Sequence, residues 1–96
     1  MMKKKRFDFY VEVILREFGI SRDVFFRKTK EREIVDARQM LYWTCHKNDF
    51  SIASIIRMMG ENGYEIQYPS VRQGIDRIDE TKDKDYKKFK QKICSV

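Results

Sequence analysis

Apolar residues recur along this chain at helical intervals, and nowhere do they alternate over a length that would make a strand. Phe7, Val11, Ile14, Leu15 and Phe18 follow the i, i+4, i+7, i+8, i+11 spacing of one buried face. They predict a first helix over Phe7–Phe18, stopped by Gly19. Ser21 reads as the N-cap of a short helix through Phe26, with Asp23 in its first turn, where negative charge is favoured, and Val24 and Phe25 facing inward. Arg27–Glu33, RKTKERE, is a polar and mostly basic joint. It leads into the longest helix, predicted over Lys30–His46, with a buried stripe of Ile34, Ala37, Leu41 and Cys45. Met40 and Thr44 lie at the margins of that stripe, and Tyr42 and Trp43 partly around the side. Lys47-Asn48-Asp49 breaks the helix. Ser51 caps a short helix, Ile52–Met59, whose apolar residues are Ile52, Ile55, Ile56 and Met59; Gly60 ends it, and Asn62-Gly63 marks a turn.

Pro69 is the one proline, and it opens the next helix: its φ is pre-set and the first helical position needs no N–H. Val71, Ile75 and Ile78 face inward there, and Ser70, Arg72, Gln73, Asp76 and Arg77 face outward. The last segment, DKDYKKFKQKI, places Tyr86, Phe89 and Ile93 on one face of a lysine-rich amphipathic helix that closes the bundle. The expected architecture is all-α: one domain over residues 1–96, a small helical bundle containing a helix-turn-helix, with a basic C-terminal helix.

Composition changes this picture little. Charged residues make up 38% of the chain, and no apolar run approaches the roughly 18–20 residues of a membrane span, so no membrane role is expected. The start, MMKKKRFDFYVEVIL, imitates a signal peptide, but Asp8 and Glu12 interrupt its apolar part and no small-residue cleavage site follows. A cytoplasmic protein with Cys45 and Cys94 as reduced thiols is the expectation. There is no CxxC, no Cys/His cluster and no cofactor motif, so neither a metal nor a cofactor is expected. His46, the one histidine, sits beside Cys45, but adjacent helical residues point apart and make no catalytic dyad. A non-enzyme is expected. The formal charge of +6 and a pI near 9.4 favour a polyanionic partner, and its location on the surface matters more than its sum.

The block EIVDARQML, Glu33–Leu41, narrows the reading. A basic joint, an Ile-Val pair, Ala-Arg-Gln-Met, then Ser51 opening an Ile-rich short helix and a Ser-Val helix resemble the C-terminal DNA-binding domain of the bacterial replication initiator DnaA. That domain is all-helical with a helix-turn-helix and belongs to a group related to the Trp repressor. The resemblance covers about Ser21–Glu80. It implies that the joint, with Lys28, Lys30 and Arg32, reaches the minor groove or its phosphates, Lys30 standing where the family places an arginine. It further implies that Arg38 and Gln39 help seat the long helix against the DNA backbone. The family signature Gly-x-Arg-Asp-His-Ser/Thr-Thr-Val departs here to Ile66-Gln67-Tyr68-Pro69-Ser70-Val71, after a longer turn. Gln67 and Tyr68 replace the base-reading Asp and His, so the resemblance implies duplex docking rather than the family's origin-box specificity. No GxxxxGK[ST] sequence accompanies it. A free-standing domain of this kind resembles a phage or mobile-element protein or a small accessory factor.

The chemistry of the outward face fits double-stranded DNA. Arginine pairs bidentately with guanine and glutamine with adenine, so Arg72 and Gln73 are the candidate base readers, with Arg77 further along. Ser70, with free backbone N–H groups at the helix start, is a candidate phosphate contact. Gly74, without a side chain, suits close approach either to the helix behind it or to DNA, helix packing being the favoured reading. Tyr64 and Tyr68 either anchor the loop or lie on a phosphate. The lysine-rich tail serves phosphate attraction or solubility. The competing reading is a protein-interaction module on the same fold, binding a host replication or transcription factor, with Pro69 and the aromatic loop in its favour.

Overall fold

The computed structural model describes residues 3–94, with side chains described through residue 92. The described residues form six helices and no strand: α1 (Lys3–Phe18), α2 (Arg22–Phe25), α3 (Arg32–Lys47), α4 (Ile52–Glu61), α5 (Tyr68–Glu80) and α6 (Lys84–Cys94). The all-α expectation therefore holds. No helix among the described residues is long and apolar enough to cross a membrane.

The spine of the molecule is α3. It packs along α5 and α1, with α2 and α4 against it as well. Encirclement buries far more of it than one stripe: from Ala37 to Cys45 every side chain is buried except Gln39, which is half-buried. Met40, Tyr42, Trp43 and Thr44, expected at the margins or the side, are all inside. The polar atoms of these residues find different solutions. Thr44 Oγ1 donates to the Met40 carbonyl at 2.8 Å, and Trp43 Nε1 donates to Asp79 Oδ1 at 3.0 Å. Lys47 and Lys90 lie over the Trp43 ring, so the indole joins α3, α5 and α6.

Three helices stop by the same device, a Schellman turn with a left-handed residue after the cap. Gly19 (φ 65°) ends α1, with the Ile20 amide donating to the Leu15 carbonyl at 3.0 Å. Asp49 (φ 71°) ends α3, with the Phe50 amide on Cys45 at 3.0 Å. Gly63 (φ 82°) ends α4, with the Tyr64 amide on Met59 at 3.0 Å. Gly60, read from the sequence as the stop of α4, is an ordinary helical residue; a glycine ends a helix only where positive φ is required, and that position is Gly63. The Ser21 and Ser51 caps form as expected, their hydroxyls accepting from the Val24 and Ser54 amides.

Helix starts differ at polar residues, whose helicity periodicity does not register, and α5 starts at Tyr68, which makes Pro69 its second residue and not its first. Helix α1 begins a turn earlier than predicted, at Lys3, because Lys3 and Arg6 lie over the Phe50 ring and Arg6 Nη2 donates to the Asn48 carbonyl at 2.8 Å. Helix α3 begins at Arg32, leaving Lys30 in the joint, where Thr29 Oγ1 accepts from the Glu31 amide at 3.2 Å. The tail helix α6 docks through Phe89, which is buried and edge-on to Phe18, and through Lys90 Nζ donating to the Ile78 carbonyl at 3.0 Å. Tyr86 is half-buried. The side chains of Ile93 and Cys94, expected to cover the bundle and to be a reduced thiol, lie outside the described residues.

Candidate functional site

The start of α5 is laid open to solvent: Gln67, Tyr68, Pro69, Ser70, Arg72 and Gln73 are all exposed, while Val71 and Ile75 anchor the helix beneath them. Gln67 is the N-cap, in an extended conformation and without a side-chain capping bond. Its carbonyl accepts from the Ser70 amide at 3.1 Å and from the Val71 amide at 3.3 Å. The Ser70 amide, expected to be free for an anion, is thus spent, and Pro69 has none to offer. What Ser70 retains is its hydroxyl. Arg72 makes an i,i+4 ion pair with Asp76 at 3.2 Å, both half-exposed. Such a pair is worth about 0.3–0.5 kcal/mol and yields readily to a stronger acceptor.

Arg77 corrects the helical-wheel reading. It turns back onto α3 instead of outward, Nη1 donating to Asp36 Oδ1 at 2.8 Å and to Gln39 Oε1 at 2.6 Å, with its guanidinium over the Tyr86 ring. The cause lies one helical turn before it. Gly74 has no side chain, and a Cβ there would stand 2.9 Å from Gln39 Cγ, so α5 and α3 approach closely enough for Arg77 to reach across. Asp36 is the anion that holds it, with a side chain only 14% exposed, and it also receives Arg32 Nε at 3.4 Å. Burial pushes the Tyr86 phenol up to about 12, helped by its hydrogen bond to Asp36.

Arg38 is the second correction. Expected to seat α3 on a DNA backbone, it is 3% exposed and turned into the protein. Nε donates to the Phe25 carbonyl at 2.9 Å, Nη1 to Thr29 at 3.2 Å and Nη2 to Arg27, so the guanidinium holds the joint that follows α2. Its other face stacks on Tyr64, 4.4 Å from the ring centroid, which makes Tyr64 a loop anchor. Gln39, half-buried, is engaged by Arg77. In the joint itself Lys28, Lys30 and Arg32 are exposed, Lys28 Nζ lying 5.9 Å from the Tyr64 ring centroid.

These elements converge. Thr29 and Lys30 of the joint, Val35, Arg38, Gln39 and Tyr42 of α3, Tyr64 and Ile66 of the loop, and Ser70 of α5 line one cleft of about 190 Å³. Lys30 and Ser70, placed on separate elements by the sequence reading, share it. Tyr42 was not foreseen there. It is 2% exposed, and its hydroxyl has no hydrogen-bond partner in the protein. Burial pushes its phenol well above the ordinary value of 10.0, Tyr64 adding to the effect and Arg38 opposing it. The available signal was spacing: Tyr42 follows Arg38 at i+4 and therefore shares its face of α3.

The remaining chemistry-bearing residues lie elsewhere. Cys45 is buried and its thiol is pushed up by desolvation. His46 stands in the last turn of α3 with Nδ1 3.3 Å from the Phe50 carbonyl. Among the described residues no group of three His, Cys, Asp or Glu side chains is placed to hold a metal ion. The chain matches no protein-family model, no curated protein and no solved structure.

Proposed function

We propose that the protein is a non-enzymatic, cytoplasmic double-stranded DNA-binding protein, sequence-preferring, acting in control of replication initiation or transcription. In this reading α4, the 62–67 turn and α5 act as a helix-turn-helix, as the resemblance to the DnaA C-terminal domain implies. The observation that carries it is the convergence of the basic joint and the open start of α5 on one cleft, lined by Thr29, Lys30 and Ser70. Arg72 and Gln73, one turn further on and exposed, are then the base readers. Lys28, Lys30 and Arg32 serve phosphates or the adjacent minor groove. Arg77 drops out of the base-reading set, and Arg77 and Arg38 clamp α5 and the joint in place.

Fluorescence anisotropy of a labelled random duplex at two salt concentrations tests this. Affinity falls with salt with a slope of about 0.9 per neutralised phosphate. Lys30→Ala weakens all sequences alike, whereas Arg72→Ala flattens the preference found by selection from a random pool. Equal loss on every sequence for Arg72→Ala removes the base-reading assignment. Absence of binding at low salt favours the second reading, a protein-interaction module. That reading is supported by Tyr68, 57% exposed beside Pro69 at the tip of α5.

A further inference from the structure

Arg38 is a buried cation without a counter-charge. It is 3% exposed, and every ion pair formed among the described residues is made by another cation. Carbonyl oxygens and the Tyr64 ring offset part of the cost of taking the charge out of water, but a buried charge is ordinarily paired. A guanidinium carries five N–H donors. The three bonds to Phe25, Arg27 and Thr29 leave one N–H on Nη1 and one on Nη2.

A second unsatisfied donor stands beside it. The Tyr42 hydroxyl is buried without a partner in the protein, and Tyr42 follows Arg38 at i+4 on the same face of α3. Arg38, Tyr42 and Tyr64 line the same cleft as Lys30 and the Ser70 hydroxyl, and no carboxylate lines it. The Gln39 carbonyl oxygen, the acceptor on its wall, is taken by Arg77. A cleft of about 190 Å³ is several times the ~30 Å³ share of one water. The cleft thus has two cationic residues and unengaged donors on its wall and no carboxylate, and the component that would complement it is an anion with several acceptor oxygens.

We propose that this cleft is an oxyanion site in which a phosphate group accepts from Arg38, Tyr42 and Ser70, with Lys30 at its mouth. The phosphate supplies the counter-charge that Arg38 lacks within the chain. An Arg–phosphate hydrogen bond is charge-assisted and roughly twice as strong as a neutral one. The phosphate is either a free ion or part of a nucleic-acid backbone, and the second identification rests on the DNA-binding reading above.

The test titrates the full chain with inorganic phosphate against sodium chloride at equal ionic strength, reading the thermal midpoint and amide chemical shifts. Phosphate raises the midpoint, because a ligand that binds only the folded chain stabilises it, and shifts the resonances of the joint and the start of α5. Tyr42→Phe removes one hydroxyl and lowers phosphate affinity about tenfold, as loss of a hydrogen bond to a charged acceptor does, without lowering the midpoint in phosphate-free buffer. Ser70→Ala, at an exposed position, reads the same loss if Tyr42→Phe disturbs folding. Equal midpoints and shifts in phosphate and chloride overturn the site. A labelled duplex separates the sources. Competition between phosphate and duplex, weakened in Tyr42→Phe, supports the site as a backbone-phosphate contact. Phosphate binding without any duplex affinity supports a free-ion site and overturns the DNA reading alone. Duplex binding unchanged by Tyr42→Phe and without phosphate binding overturns the site alone.

Discussion

The same substitution at two helical glycines should have opposite signs. Gly60 lies in α4 and Gly74 in α5, and neither has positive φ. Replacing a helical glycine by alanine stabilises by about 0.5–1 kcal/mol through lost chain freedom alone. At Gly60 nothing lies within 4 Å of an added Cβ, so Gly60→Ala keeps that gain. At Gly74 the Cβ would meet Gln39 Cγ at 2.9 Å, Tyr42 Cδ2 at 3.2 Å and Gln39 Cβ at 3.4 Å. Neither neighbour can give cheaply. Gln39 Oε1 is held by Arg77 at 2.6 Å, and the Tyr42 ring is buried. Overpacking of this kind costs about 1–3 kcal/mol, which exceeds the propensity gain. Gly74→Ala should therefore destabilise by roughly 0–2 kcal/mol while Gly60→Ala stabilises, a separation of about 1–3 kcal/mol. In a domain of this size each kcal/mol moves the thermal midpoint by about 4–8 °C. Urea unfolding followed by the fluorescence of Trp43, the only tryptophan, and by far-UV circular dichroism measures both variants. Equal stabilisation by the two alanines would show that α5 and α3 are not in close contact at Gly74, and would remove the reason given for the orientation of Arg77.

Asp49 holds a left-handed conformation that most side chains avoid, so Asp49→Gly should raise stability by about 0.5–1 kcal/mol in the same urea assay. The Asp79 carboxyl is held below its ordinary value of 3.8, chiefly by the Trp43 indole N–H and then by Lys47. Its folded pKa is depressed, so its contribution is present above the unfolded value and is lost as pH falls through the folded one. Trp43 fluorescence should accordingly change at acid pH below that value, and Asp79→Asn should abolish the change; an unaltered titration in Asp79→Asn would break the link.

Helices were legible wherever burial repeats with the helical period. Phe7, Val11, Ile14 and Leu15 line α1, and Val71, Ile75 and Ile78 line α5, as their spacing predicts. The serine caps were legible for the same reason: a hydroxyl accepting from an amide three residues on is a local interaction. Of the candidate site, the joint and the exposed α5 residues Ser70, Arg72 and Gln73 were legible because neighbours in sequence decide whether they face outward.

Long-range contacts decided the rest. Gly60 and Gly63 look alike in sequence, and only the backbone path of the 62–67 turn makes Gly63 the left-handed residue. Arg38 and Arg77 are both arginines on amphipathic helices, indistinguishable from solvated cations until the carbonyls after α2 and the Asp36 carboxylate are brought against them. The fate of a long charged side chain depends on which polar groups from distant segments fall within about 3 Å of its tip. Periodicity cannot carry that information. It assigned these residues to helices and to faces, whereas the packing of α5 and the joint around α3 turned two apparent surface cations into clamps and left Tyr42 and Arg38 with hydrogen-bond donors to spare.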